Sequence, residues 1–148
     1  MEDAKVLTQL VDFSNKWEPY LKECKEQARK KGKKGFNLNE DHDTVKILKE
    51  KAVSELYKIV NEKFYKVDYS VGKGVAAGIP WIVIMDRSIT TSATEKFYIT
   101  LLFSRNAKKL YLSISLAATQ FADLFGENSK TLLKIEKARD LWQKQFKE

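Results

Sequence analysis

The stretch Tyr69-Ser-Val-Gly-Lys-Gly-Val-Ala-Ala-Gly-Ile-Pro-Trp-Ile-Val-Ile-Met-Asp86, followed by a polar turn and then Lys96-Phe-Tyr-Ile-Thr-Leu-Leu-Phe-Ser104, decides the reading of this chain. Three of the six glycines and one of the two prolines fall between Gly72 and Pro80. Glycine admits positive φ and lets a backbone lie close to a ligand. Proline holds the residue before it extended. A shaped loop therefore runs into Trp81 and an apolar strand, Trp81 to Met85. The strand Phe97 to Phe103 is expected to pair with it. A glycine-rich loop ending on a tryptophan beside a sheet suggests a pocket rim.

The pair Gly72 and Gly74 does not suit a nucleotide fold. A dinucleotide fingerprint needs a third glycine and an immediate helix, whereas Pro80 and a strand follow here. A P-loop needs Gly-Lys-Ser/Thr, which is absent.

The residues before the loop, Tyr65 to Val71, are rich in β-formers and read as a strand. Beyond Phe103, Arg105 to Lys108 reads as a tight turn. Leu110, Leu112, Ile114 and Leu116 then alternate along a further strand. These strands fit an antiparallel meander with one buried face.

Helices flank the sheet on both sides. Val6, Leu7, Leu10 and Phe13 have helical spacing, and Pro19 is expected to interrupt or start a helix. Trp17, Leu21, Cys24 and Ala28 follow as a narrow apolar stripe, read first as core. Val45, Leu48, Ala52, Leu56, Ile59, Val60 and Phe64 predict the most regular helix, with caps between Asn39 and Asp43. His42 stands at its polar start, where capping or plain exposure is the default. Ala117 to Phe125 reads as a short helix ending at Gly126, and Ser129 as the cap of a final helix bearing Leu132, Ile135, Ala138, Trp142 and Phe146. The fold class is α+β: one domain over 1–148, with helices in 1–64, the sheet in 65–116 and C-terminal helices in 117–146.

The 148 residues suit one domain, and 43% hydrophobic with 32% charged residues describes a soluble chain with a real core. No apolar run approaches a membrane span, and the first ten residues lack the pattern of a signal peptide. The single cysteine, Cys24, excludes an internal disulfide, and a cytoplasmic location is expected.

The formal net charge of +7 points toward polyanionic partners. Between Lys16 and Gly35, eight basic side chains face three acidic ones. The run Arg29 to Gly35, with Lys33 and Lys34, reads either as a solvated loop or as an edge that contacts phosphates.

Catalytic machinery is not legible. His42 is the only histidine, so no serine has an evident base and no metal cluster has its ligands. From Tyr69 to Asp86 the only acid is Asp86. Aromatic faces and lysines are ingredients for holding a base or a cationic group.

These residues resemble a known family. Tyr69-Ser70-Val71-Gly72-Lys73-Gly74, then Ile79-Pro80-Trp81-Ile82, Asp86, Ile89-Thr90-Thr91-Ser92, Tyr98, Leu101-Leu102-Phe103 and Leu110-Tyr111-Leu112-Ser113 are similar to the N-terminal DNA-binding domain of McrB-type restriction proteins. The resemblance covers about Leu56 to Trp142. It implies a module that binds duplex DNA carrying methylated or hydroxymethylated cytosine and flips the modified base into a pocket. It also implies a downstream GTPase domain and a separate nuclease subunit, so this chain would be one piece of a larger restriction subunit. Neither a cofactor nor catalysis would belong to this domain. The pocket positions correspond to Lys73, Trp81, Tyr98 and Leu102. Lys73 stands where the best-known member has an aromatic, and Lys96 stands where members commonly have glycine. Ser70, Gly72 and Gly74 would shape the loop against the DNA backbone, with phosphate contacts from Lys73, Lys33, Lys34, Lys108 and Lys109. The alternatives are a protein-interaction or assembly domain, a reader of another base such as methyladenine, and a small enzyme acting on a nucleobase.

Overall fold

The structure, a computed structural model, describes residues 2–36, 38–72 and 79–145. Four strands, β1 (Tyr65–Ser70), β2 (Trp81–Asp86), β3 (Phe97–Phe103) and β4 (Leu110–Leu116), form one antiparallel sheet in the order β1-β2-β3-β4. This is the expected meander, and the strand ends fall within one residue of those read from the sequence.

The helical layer departs from expectation at Pro19. α1 runs unbroken from Glu2 to Lys30 with Pro19 inside it. Its buried stripe is continuous through the proline: Val6, Leu10, Phe13, Trp17, Tyr20, Cys24 and Ala28. An interior proline costs about 3 kcal/mol. Burying each large apolar side chain returns about 1.5–3 kcal/mol. Trp17 and Tyr20 on either side of Pro19 outweigh it, and the proline itself faces solvent.

The next helical stretch joins α2 (Asp43–Lys46), a π-helical turn (Ile47–Ala52) and α3 (Val53–Ile59). It stops short of the expected end, since Val60 is already extended and Phe64 is exposed. His42 caps it: Nδ1 accepts from the Thr44 N–H at 3.2 Å. The imidazole also stacks on Tyr20 at 4.0 Å between centroids.

Side chains alternate between two sheet faces. One face carries Val67, Ile82, Ile84, Leu101 and Phe103 and packs against α1 and the helical stretch after it. Phe13 sits 5.0 Å from Phe103 and 5.2 Å from Trp17, centroid to centroid. The expectation of a buried β4 face fails. Leu110, Leu112 and Ile114 lie on the helix-facing side but are exposed, Leu112 at 73%. Among the described residues the helical layer covers β1, β2 and the Leu101–Phe103 end of β3, and leaves Ile99 and β4 exposed.

α4 (Ala118–Phe125) ends at Gly126, whose φ is 78°. α5 (Ser129–Gln145) is capped by Asn128 rather than Ser129, because Asn128 Oδ1 accepts from the Thr131 N–H at 3.1 Å. Phe146 lies outside the described residues.

Candidate functional site

The second sheet face carries the site. The register sets three rows of side chains across it. Ser70, Trp81, Leu102 and Tyr111 form the first row; Asp68, Val83, Thr100 and Ser113 the second. In the third, Lys66 pairs with Met85 and Tyr98 with Ser115. At a rise of about 3.4 Å per residue, Trp81 and Tyr98 stand about 14 Å apart along the strands. Short side chains lie between two bulky rows, and the result is a trough.

Walls flank the trough and bound an open cavity of about 800 Å³. Trp81, Tyr98, Leu102 and Ser70 line it, with Asp68, Val83 and Thr100 between them. Thr91 to Thr94 form one wall, and Ala118 with Thr119 at the start of α4 another. The volume lies within the range of about 300–1,000 Å³ typical of small-molecule sites.

The wall of the β2–β3 connection is pinned in place. The Tyr98 hydroxyl donates to the Ala93 carbonyl at 2.7 Å, and Lys66 Nζ donates to Thr91 O at 2.9 Å. Thr90 is buried, and its Oγ1 accepts from the Ser92 N–H at 3.1 Å. Burial pushes the Tyr98 phenol up, so the ring is neutral and its hydroxyl already committed. Asp86 serves the turn: its carboxylate accepts from the Ser88 N–H and hydroxyl, and the hydroxyl bond foremost holds its pKa below the usual carboxylate range.

Lys96 explains a departure noted in the sequence. It has φ of 54°, the left-handed region that favours glycine. Its carbonyl accepts from Ala117 N–H at 2.9 Å, and its N–H donates to Gln120 Oε1 at 2.7 Å. This residue ties the loop, the exit of β4 and α4 together. The fold therefore accounts for a preference for glycine there.

The remaining expected residues lie in three places. Gly72 borders the cavity end of β1 with φ of 107°, its N–H on Ser70 Oγ at 3.1 Å. Lys73 and Gly74 lie outside the described residues. Lys108 and Lys109 are exposed in the β3–β4 turn. The Phe103 N–H donates to Pro80 O at 3.0 Å, which places that turn at the same sheet end as the glycine loop. Ser14 in α1 holds the turn by donating to Ala107 O.

Lys33 and Lys34 are elsewhere. From Ser14 to Ala28 the helix advances about 21 Å at 1.5 Å per residue. There α1 ends on Gly32, with φ of 66°, while Lys33 N–H donates to Ala28 O and Gly32 N–H to Arg29 O. That bond pattern is a Schellman cap. The exposed lysines therefore project from an ordered helix end. Lys33 also borders a small cavity of about 170 Å³ beside Cys24, whose thiol burial pushes up and away from reactivity.

Sequence reasoning missed Asp68, Val83 and Thr100. The signal was available: Asp68 stands two before Ser70, and Thr100 two before Leu102, so strand alternation assigns them to the same face. Among the described residues no group of three or more His, Cys, Asp or Glu side chains could hold a metal. No described helix is long and apolar enough to cross a membrane.

Neither the curated proteins nor the solved structures hold a match to this chain. A family model does match: "MrcB-like, N-terminal domain", over residues 24–148. The match begins some thirty residues earlier than the resemblance visible in the motifs, within the α1 stripe. Such membership fits a DNA-binding targeting module of a McrB-type system. By a match covering most of its length, the chain belongs to the family of MrcB-like N-terminal domains.

Proposed function

We propose that this domain binds duplex DNA carrying a modified base, with methylated cytosine the first candidate, and flips that base into the cavity between Trp81 and Tyr98. It would act as the targeting module of a modification-dependent restriction endonuclease. GTP hydrolysis and DNA cleavage would belong to other domains or subunits. One observation supports this reading above the rest: Trp81, Tyr98, Leu102 and Ser70 all line one cavity.

The energetics are consistent. Extruding a base costs a few kcal/mol. Stacking on an aromatic returns about 1–3 kcal/mol. Phosphate contacts from Lys108, Lys109, Lys33, Lys34 and Lys73 would supply the rest, in a chain of net charge +7.

The test compares duplexes identical except for a single 5-methylcytosine or N6-methyladenine, at one fixed salt concentration. Tighter binding of one modified duplex than of the plain duplex is the expected result. A 2-aminopurine beside the modified base should brighten on binding as its neighbour leaves the stack. Equal dissociation constants for all three duplexes would remove the base-reading function. Discrimination without the fluorescence rise would remove the flipping step.

The exposed apolar strip on β4 favours a second reading, a protein-assembly surface. Sedimentation with and without DNA distinguishes the two, because an assembly domain associates regardless of base modification.

A further inference from the structure

Between the aromatic rows, the cavity floor is polar in a specific way. Thr100 is 6% exposed, and its Oγ1 is buried with no hydrogen-bond partner among the described residues. A buried hydroxyl without a partner is destabilising. Thr100 lies across Val83 from Asp68 in the middle row of the floor, and all three line the cavity.

Asp68 and Lys66 are the charged side chains in the lining. Lys66 Nζ is 3.7 Å from Asp68 Oδ2 and donates to Thr91 O. Asp68 Oδ1 accepts from the Tyr69 N–H at 2.8 Å. Oδ2 thus keeps acceptor capacity toward the cavity. An ionised carboxylate only accepts hydrogen bonds, so its ligand must bring a donor. It also repels phosphate, which argues for a neutral base in the cavity and the DNA backbone outside it.

From this we infer that Asp68 selects a base with an exocyclic amino group, of cytosine or adenine type, against thymine and uracil types. The inference rests on the base-flipping reading of the same cavity. The amino group donates to Asp68, the contact by which a carboxylate reads cytosine N4. Thymine and uracil present a carbonyl oxygen in place of the amino group, and two acceptors then face each other. A site built to bond a donor rejects analogues that lack it far more strongly than a site that reads only apolar shape.

The experiment uses the whole domain and four duplexes: plain, one 5-methylcytosine, one N6-methyladenine, and one 5-methyl-2-pyrimidinone. The last keeps the ring and methyl of 5-methylcytosine but lacks the amino group. A purine without its 6-substituent serves the same purpose if methyladenine is the base preferred. Wild type should lose about tenfold or more of its preference on the deaminated analogue. Asp68→Asn should lose a similar factor on the amino-bearing base. Retained preference for the deaminated analogue, or an unchanged ratio in a folded Asp68→Asn protein, overturns the amino-group reading while leaving base flipping in place. No preference for either modified duplex overturns base reading itself, and this inference with it. The analogue arm needs no variant, so it stands even if Asp68→Asn fails to fold.

Discussion

Ile82 and Trp81 are neighbours on β2, yet one is 0% exposed and the other is only half-buried. Ile82 faces the helices and belongs to one buried cluster with Phe13, Trp17, Leu48 and Phe103. Trp81 faces the trough, whose walls are the pinned loop and the start of α4. One sheet face packs against the helices, while the other buries Val83 and Met85 yet keeps a cavity beside Trp81. The rigid side holds the open side in shape. Strand register, fixed by burial behind the sheet, sets the spacing of the three rows in front of it.

Phe13→Ala tests this division of labour most severely. Phe13 is fully buried and packs against two rings. Its truncation should cost about 3–5 kcal/mol in urea unfolding. The folded fraction should still prefer the same DNA, because no residue of the trough has changed. If fully folded protein showed no preference, the two faces would not be separable.

Next in size is an alkaline effect on the packed side. Burial chiefly pushes the Tyr20 phenol up to about 12, and its oxygen accepts from Asn39 N–H at 2.7 Å. The unfolded phenol ionises near pH 10 and the folded one later. The stability this group contributes is therefore full below pH 10 and disappears as pH rises to about 12. The total is on the order of 2–3 kcal/mol. Denaturation midpoints measured from pH 9 to 12 should fall, and Tyr20→Phe should flatten that part of the fall.

Trp81→Ala is the mirror of Phe13→Ala. Half-buried, it should shift the unfolding midpoint less. Removing the indole should lower the ratio of plain to modified dissociation constants about 5- to 150-fold, the equivalent of one stacked ring. An unchanged ratio, or an unfolded variant, would reassign Trp81 to the core.

The smallest effect belongs to neither face. Replacing Lys33 and Lys34 with alanine should weaken binding to all duplexes alike. The salt slope should become shallower by about 0.9 for each phosphate these lysines neutralise. A slope that does not change would assign the end of α1 to solvent.

Local pattern carried the strands well, because alternation and turn residues are short-range signals. Tyr65, Trp81, Phe97 and Leu110 begin strands where the sequence puts them. Long-range decisions were less visible. Pro19 is a breaker by local rule, and only the packing of Trp17 and Tyr20 overrides it. Leu110, Leu112 and Ile114 share a face as read, but alternation does not say whether a helix covers that face. The cavity was half legible: the aromatics and Ser70 stood out by type and motif. Asp68 and Thr100 did not, since their place depends on a cross-strand register through Val83.

The packing of Phe13 on Phe103 joins the first helix to the third strand across ninety residues of chain. During synthesis at about 5–20 residues per second, that interval lasts roughly 5 to 18 seconds. Through it, Phe13 and the stripe around it lack their partner in the sheet, while each hairpin can close soon after it emerges. The order of manufacture thus exposes the future core before its cover exists. Slowing translation between α1 and β3 should raise the yield of aggregated chain, and holding α1 with a chaperone until Phe103 appears should restore it.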